Sequence, residues 1–424
     1  MSSKILVIGA ATLDRLLYVE NYPTADSKSA CSTFECGGGN GANTSCTLGR
    51  LLPPTTVTNV KMKINLLSKI STDGVGDFLI NELNSYNVDT SNPLLVRSTG
   101  RSSVCTIIVT KNHPYTRTCF FDAGTVGTLD RNYALSAVEF DELLRDVEHI
   151  HSDSRHTEAA ASIVKTAKNL NIRISVDVER DRYTQAFDDI IDYADTIFTT
   201  EDSLMRPILE RRIGYDPFTI SEEDVIEVDE FNFKCIMISY WLQSFNTTSN
   251  YDFAKEVIIT RGERGSVHVK IEAIETCDIL KLSDMDIKRI HSVKIKSESP
   301  ECIYISHLVM HRSKKSDSNL IGEEKVTYKL TYCGPPKVNK DDVVDTTGAG
   351  DSFIGGYIYS GSKLCQSYVG SSDTLFRLKF ASWVAGKKIL GNGARTTLPT
   401  FEEAIKELGQ NFTQLDHKIE KYHG

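Results

Sequence analysis

Asp345-Thr346-Thr347-Gly348-Ala349-Gly350-Asp351 runs straight into Ser352-Phe353-Ile354-Gly355-Gly356-Tyr357-Ile358, and this stretch carries the clearest chemistry in the chain. Gly348, Ala349 and Gly350 are small enough for backbone N–H groups to crowd an anion. A helix that starts here adds the positive end of its dipole. A plain anion cradle has no use for Asp351. A carboxylate beside an anion hole suits a base that takes a proton from a hydroxyl while the hole steadies a phosphoryl group.

Gly37-Gly38-Gly39-Asn40-Gly41-Ala42-Asn43 forms a second constellation. Its glycines let a polyhydroxy ligand approach the backbone, and Asn40 and Asn43 offer amide donors and acceptors to hydroxyls. The same residues also read as a tight turn with an asparagine helix cap. Neither Gly-x-x-x-x-Gly-Lys-Ser/Thr nor Gly-x-Gly-x-x-Gly occurs there. Asp14 lies five residues past Gly9, where a first strand ends. At the carboxyl edge of a parallel sheet such a carboxylate can accept two sugar hydroxyls; alone it also reads as a turn or capping aspartate. His149, His151 and His156 near Asp153 suggest a metal site, but no second group of ligands accompanies them. Asp177 and Glu179 share one face at a strand end, which suits either a substrate contact or pairing with Arg180 or Arg182.

These residues need elements to hold them. Residues 4–9 read as a buried strand, with further strands at 16–19 and 32–36. Gly37–Gly39 then breaks the chain before a helix over 43–52. A strand over 63–70 leads through Asp73-Gly74-Val75-Gly76 into a helix, and 104–110 with 116–121 make a hairpin-like pair around Asn112-His113-Pro114. From residue 138 onward helices (138–147, 157–169, 184–193) alternate with strands (149–151, 173–178, 196–199), the pattern of a parallel sheet covered by helices. The early hairpins fall outside that alternation and read as a separate small β layer. Val343 and Val344 read as the end of an extended segment leading into the helix after Gly350. Residues 205–250 and 268–340 read as insertions without a chemical motif of their own.

With 424 residues, 40% hydrophobic and 25% charged, the chain is expected to be a soluble globular protein with a substantial core. No run of about 18 apolar residues is present, so no membrane span is expected. A net charge of −9 argues against nucleic acid as a default partner. Ten scattered cysteines without a Cys-x-x-Cys pair fit neither a zinc ribbon nor a disulfide framework, and a reducing cytoplasmic setting is expected. A strand beginning at Lys4 leaves no room for a signal peptide.

Taken together, Gly9 to Asp14, Gly38 to Asn43, Asp73 to Gly76, Arg117-Thr118, Thr260 to Gly265 and Asp345 to Asp351 resemble the PfkB, ribokinase-like family of carbohydrate kinases, along nearly the whole chain. Ser152 to Arg155, Asp177 to Arg182 and Gly391 to Pro399 are similar to a eukaryotic, plant-like branch, with a fainter similarity to ketohexokinase. The resemblance implies one α/β kinase domain over residues 1–424: a ribokinase-like, doubly wound, mainly parallel sheet flanked by helices, with a small β-sheet lid from strands near 15–36 and 101–126. It implies ATP-dependent phosphorylation of a hydroxymethyl group on a small sugar. Asp351 would be the base, and Gly348, Ala349 and Gly350 the anion hole. Asp14, Gly38, Gly39, Asn40 and Asn43 would bind the sugar, and Thr260, Gly262, Gly265 and Gly393 the nucleotide. Asp345 and Thr347 match a monovalent-cation site that holds K⁺ in many relatives. The family's usual Asn-x-x-Glu is replaced by Thr200-Glu201-Asp202-Ser203, so Glu201 or Asp202 would relay to Mg²⁺. Asn40 replaces the usual sugar-site lysine. Arg155 or Arg261 could meet phosphate or an anionic substrate. A homodimer through exposed lid edges is a further expectation. A nucleoside kinase of the same fold, or a scaffold pseudokinase carried by the insertions, remain the rival readings.

Overall fold

The computed structural model describes residues 2–54, 61–91, 94–110, 117–130, 137–178, 184–201, 225–226, 231–232, 235, 255–276, 286–295, 305–316, 319–369 and 373–409. The chain forms two compact units, one of residues 1–173 with 336–424 and one of residues 174–335.

In the first unit, β1 (Ser2–Ile8) is flanked by two parallel partners, β4 (Lys61–Ser71) and β9 (Val147–Ser152). Ile5, Leu6, Val7 and Ile8 are all fully buried, as an apolar run without alternation requires in a strand covered on both faces. Two short parallel strands, β5 (Val88–Asp89) and β6 (Leu95–Ser98), extend β4. A separate four-stranded sheet has the order β3-β2-β7-β8: β2 (Thr12–Val19), β3 (Ser32–Gly38), β7 (Val104–Thr110) and β8 (Arg117–Asp122). This is the expected small β layer, and Leu16, Cys36, Ile107 and Val109 form its buried face.

Helices α1 (Asn40–Arg50), α2 (Gly74–Ser85), α3 (Ala137–Leu144) and α4 (Thr157–Asn169) complete the first segment of this unit. In α4, Ala160, Ile163, Val164 and Ala167 recur at helical spacing and are buried. Asp73 caps α2 by accepting from Gly76 N at 2.9 Å.

The second unit begins with β10 (Arg173–Asp177), α5 (Gln185–Tyr193) and β11 (Thr196–Thr200). The strand pair β10–β11 is parallel, and β11 pairs in parallel with β13 (Glu256–Thr260). Strands β14 (Ser266–Thr276), β15 (Asp286–Ile295), β16 (Ile305–Ser316) and β17 (Asn319–Cys333) then extend the sheet antiparallel, in the order β13-β14-β17-β16-β15, with β12 (Val225–Ile226) beyond. The 268–340 segment is therefore largely a β-sheet extension. Most of the 205–250 segment lies outside the described residues, as does the Asn112-His113-Pro114 turn.

The chain returns to the first unit with α6 (Ala349–Ser360), α7 (Lys363–Val369), α8 (Thr374–Lys388) and α9 (Phe401–Glu407). Three local expectations change. Strand β3 continues through Gly37 and Gly38, and α1 starts at Asn40 instead of Asn43. Pairing of Gly37 with Leu13 and of Gly38 with Thr12 overrides the weak strand propensity of glycine. Val343 and Val344 join no ladder and follow a short 3₁₀ turn over Lys340–Asp342.

Candidate active site

Asp14 sits inside β2, facing Cys36 on one neighbour and Cys105 on the other, so it is not a turn residue. Its carboxylate lies over Gly38, where a methyl group would collide with it. Thr12 donates its hydroxyl to Oδ1 at 3.3 Å. Burial pushes the Asp14 carboxyl up to about 6; the Arg395 guanidinium and the Thr12 bond pull the other way. Gly39 precedes α1 and no side chain caps that helix; Asn40 is its first residue and half-buried.

Asp153 was not singled out by its sequence context as a functional group, yet it organises this corner. At the end of β9 its carboxylate accepts from Ala10 N at 2.7 Å, Gly41 N at 2.8 Å and Arg155 N at 2.9 Å. One buried side chain thus ties the turn after β1 to the first turn of α1. Desolvation raises its pKa, and those backbone donors oppose the rise. The aspartate follows a buried strand directly, but nothing local says which amides it will meet.

Asp351 lies in the first turn of α6, buried, where the helix dipole favours a carboxylate. Gly348 precedes the helix with φ of +74°, and the Ala394 side chain closes the space a methyl would need. A methyl on Gly350 would meet nothing within 4 Å, so the approach to this helix start is open. Asn43, in α1, donates Nδ2–H to Asp351 Oδ2 at 2.8 Å. Its Oδ1 accepts from Arg395 Nε at 2.9 Å. The guanidinium of Arg395 also donates to Glu82 Oε2 at 2.8 Å and to the Gly38 carbonyl at 2.9 Å. Arg395 lies within Gly391–Pro399 and carries no functional assignment from its sequence context. Its only local signal is an arginine in a small-residue loop.

Asp345, buried, accepts from Thr347 N through Oδ1 and from Gly393 N through Oδ2, each at 2.8 Å. The Gly393 loop is thereby bound to the Asp345–Asp351 segment. Lys388, fully buried, donates its ammonium to the Asp345 carbonyl at 2.6 Å, and Thr397 donates its hydroxyl to the Lys388 carbonyl at 2.6 Å. Burial lowers the Lys388 pKa to about 8, against the opposing pull of Asp345. The Thr347 hydroxyl oxygen is buried without a hydrogen-bond partner among the described residues. That orphaned oxygen beside Asp345 fits a monovalent cation, which would share its surroundings with the Lys388 ammonium.

In the second unit, Thr260 ends β13, and Gly262–Arg264 form a 3₁₀ turn closed by Gly265. Gly265 has φ of +84° and lies against the Cys333 carbonyl. Glu201 accepts Arg264 at 2.6 Å and Arg261 Nε at 3.2 Å, and Arg261 lies over the Phe231 ring at 3.7 Å. A carboxylate holding two guanidinium groups does not fit a Mg²⁺ relay as it stands. Asp202, Glu179, Arg180 and Arg182 lie outside the described residues, and Asp177 is buried at the end of β10.

His149, His151 and His156 are buried, and desolvation lowers all three pKa values, to about 3 for His151 and about 4 for His156. His156 Nδ1 accepts from Leu129 N at 3.1 Å, a structural bond. Among the described residues no group of three or more His, Cys, Asp or Glu is arranged to hold a metal ion.

Comparison with known proteins shows the family and the fold. The family described as pfkB family carbohydrate kinase matches residues 2–206 and 326–401. The chain belongs to this family. An ATP-dependent ribose-1-phosphate kinase of Halopiger xanaduensis is 25% identical over 47% of this chain and 62% of its own length. A Staphylococcus aureus ribokinase is 33% identical over 22% of this chain and 28% of its own. The matched stretches thus span about three fifths and under a third of those two relatives. The fold is shared with solved ribokinases. That of Giardia lamblia has a TM-score of 0.62 at 16% identity, covering 96% of this chain and all of that one. The Arabidopsis thaliana enzyme, solved with ribose and ATP, has a TM-score of 0.59 at 14% identity, covering 96% of this chain and 99% of that one. No described helix is long and apolar enough to cross a membrane.

Proposed function

We propose that the protein is an ATP-dependent kinase that phosphorylates a hydroxymethyl group of a small sugar. One observation carries this reading: Asp14 and Asp351 are joined through a single chain of buried contacts, Asp14 to Gly38, Gly38 to Arg395, Arg395 to Asn43 and Asn43 to Asp351. Asp14 accepts sugar hydroxyls beside Gly38 and Gly39, with Asn40 and Asn43 close by in the first turn of α1. Asp351 takes the proton of the acceptor hydroxyl. The acceptor oxygen bonds to the γ-phosphorus as the bond to the β-bridging oxygen breaks, and ADP leaves. Gly348, Ala349 and Gly350 face the transferring phosphoryl group. Positioning and electrostatics supply the catalysis, as phosphoryl transfer generally requires.

Thr260, Gly262, Gly265 and Gly393 are assigned to the nucleotide. Mg²⁺ accompanies ATP and keeps most of its waters, so it needs few protein ligands. Asp345 and Thr347 hold a monovalent cation when one binds. The sheet β3-β2-β7-β8 is the lid, and its β8 edge, with Phe120 exposed, is where a second copy pairs. The setting is the cytoplasm.

Coupled measurement of ADP release across ribose, ribose-1-phosphate, fructose and nucleosides tests the reading. Ribose-1-phosphate belongs in that panel because Arg155, in the bend after β9, lies over the Phe121 ring of β8 at 4.9 Å and can meet an anionic acceptor. Phosphorylation of nucleosides alone favours the nucleoside-kinase reading. Asp351→Asn is expected to lower kcat by about 10²–10⁴-fold with nucleotide affinity retained. Near-normal turnover by that variant overturns the assignment, and no turnover of any acceptor by the native protein favours a scaffold.

A further inference from the structure

We infer that Arg395, anchored by Glu82, positions the Asp351 carboxylate by fixing the orientation of the Asn43 amide. The inference rests on the assignment of Asp351 as the base. Arginine has donors and no acceptor. The Asn43 atom facing Arg395 Nε must therefore be Oδ1, and the amide N–H₂ is turned toward Asp351, where Nδ2 donates to Oδ2 at 2.8 Å. With Arg395 removed, the amide loses the contact that selects one face. In its flipped state the amide oxygen would oppose the carboxylate.

The arginine is itself immobilised. It is 1% exposed, and its guanidinium spans three acceptors: Asn43 Oδ1, Glu82 Oε2 and the Gly38 carbonyl. Gly37 leaves the space for this pair; a methyl there would collide with the Glu82 carboxylate and the Arg395 guanidinium. Tyr86, just after α2, donates its hydroxyl to the Arg395 carbonyl at 3.1 Å and fixes the backbone as well. Three rigid elements thus converge on one planar donor, and a lysine cannot reproduce that fork. Arg395 is a positioning residue, because its guanidinium reaches Asp351 only through Asn43.

The test is a double-mutant cycle on kcat and on both KM values, with thermal unfolding and nucleotide affinity measured in parallel. Arg395→Lys keeps a cation for Glu82, and is expected to lower kcat about 10- to 100-fold while the KM for ATP stays within about twofold. Arg395→Met leaves the half-buried Glu82 carboxylate without this partner and so risks unfolding; Glu82→Leu with Arg395→Met replaces the ion pair by apolar groups and restores stability. That folded double variant is expected to show the same kcat loss. In an Asn43→Ala background the Arg395→Lys change is expected to cost less than about threefold more, because its target is already gone. Additive losses, or native kcat in the folded Glu82→Leu/Arg395→Met protein, overturn the inference. Should Asp351→Asn retain native turnover, it is the assignment of the base that fails.

Discussion

Two arginine–glutamate pairs of nearly equal length have different roles in this protein. Arg395 meets Glu82 at 2.8 Å, and Arg264 meets Glu201 at 2.6 Å. The Arg395 side chain is 1% exposed and the Arg264 side chain 58% exposed. In the first pair the arginine is enclosed and meets three acceptors, and loss of Glu82 leaves its buried charge without that counter-ion. In the second pair the difference lies in the arginine: Arg264 holds its charge largely in solvent, where salt screens it, although Glu201 is as enclosed as Glu82. The guanidinium of Arg395 is thus fixed within the packing of the first unit, whereas the turn after β13 carries an arginine that reaches the surface.

Breaking the enclosed region is expected to cost most. In Gly38→Ala the new methyl displaces the Asp14 carboxylate, and the acceptor KM is expected to rise about 10- to 100-fold, since bonds to a charged acceptor group are strong. Steady-state kinetics at fixed ATP check this, and an unchanged acceptor KM removes Asp14 from the site. Acidification has a smaller effect of the same kind. The Asp14 pKa is raised, to about 6, so its carboxylate gains a proton as pH falls through that value. Acceptor KM is expected to climb several-fold, roughly in step with the protonated fraction, between pH 7 and pH 5.5, with the KM for ATP nearly constant. The linkage to stability has the opposite sense. A raised carboxyl pKa favours the folded state at low pH, and that contribution is lost as pH rises through 6. A profile in which both KM values move together contradicts the assignment. Least affected is the surface pair: Arg264→Ala is expected to alter stability by under about 1 kcal/mol and the KM for ATP by less than about threefold. A large loss there erases the contrast between the two regions.

The contrast also sorts what was legible. Helix α4 and strand β1 could be read from periodicity, because one buries a stripe and the other both faces. The helix start within Asp345–Asp351 was readable too, since small residues with a glycine at positive φ mark such a turn by backbone geometry alone. The sheet character of 268–340 was obscured, since long strands in an antiparallel extension carry as much charge as loops do. Strand β3 ran through Gly37 and Gly38 against their propensity, because its pairing with β2 comes from outside the segment.

The sequence by itself determined the family and the glycines that a close approach or a positive φ requires. Those features are local, fixed by φ, by side-chain size and by which N–H groups a helix leaves unbonded. Only the tertiary structure decided that Asp153 would brace the start of α1, that Lys388 would lie on the Asp345 carbonyl and that Arg395 would orient Asn43. Arg395 and Asn43 are 352 residues apart in sequence. A buried charge is stable only where distant acceptors converge on it, and that convergence belongs to the fold.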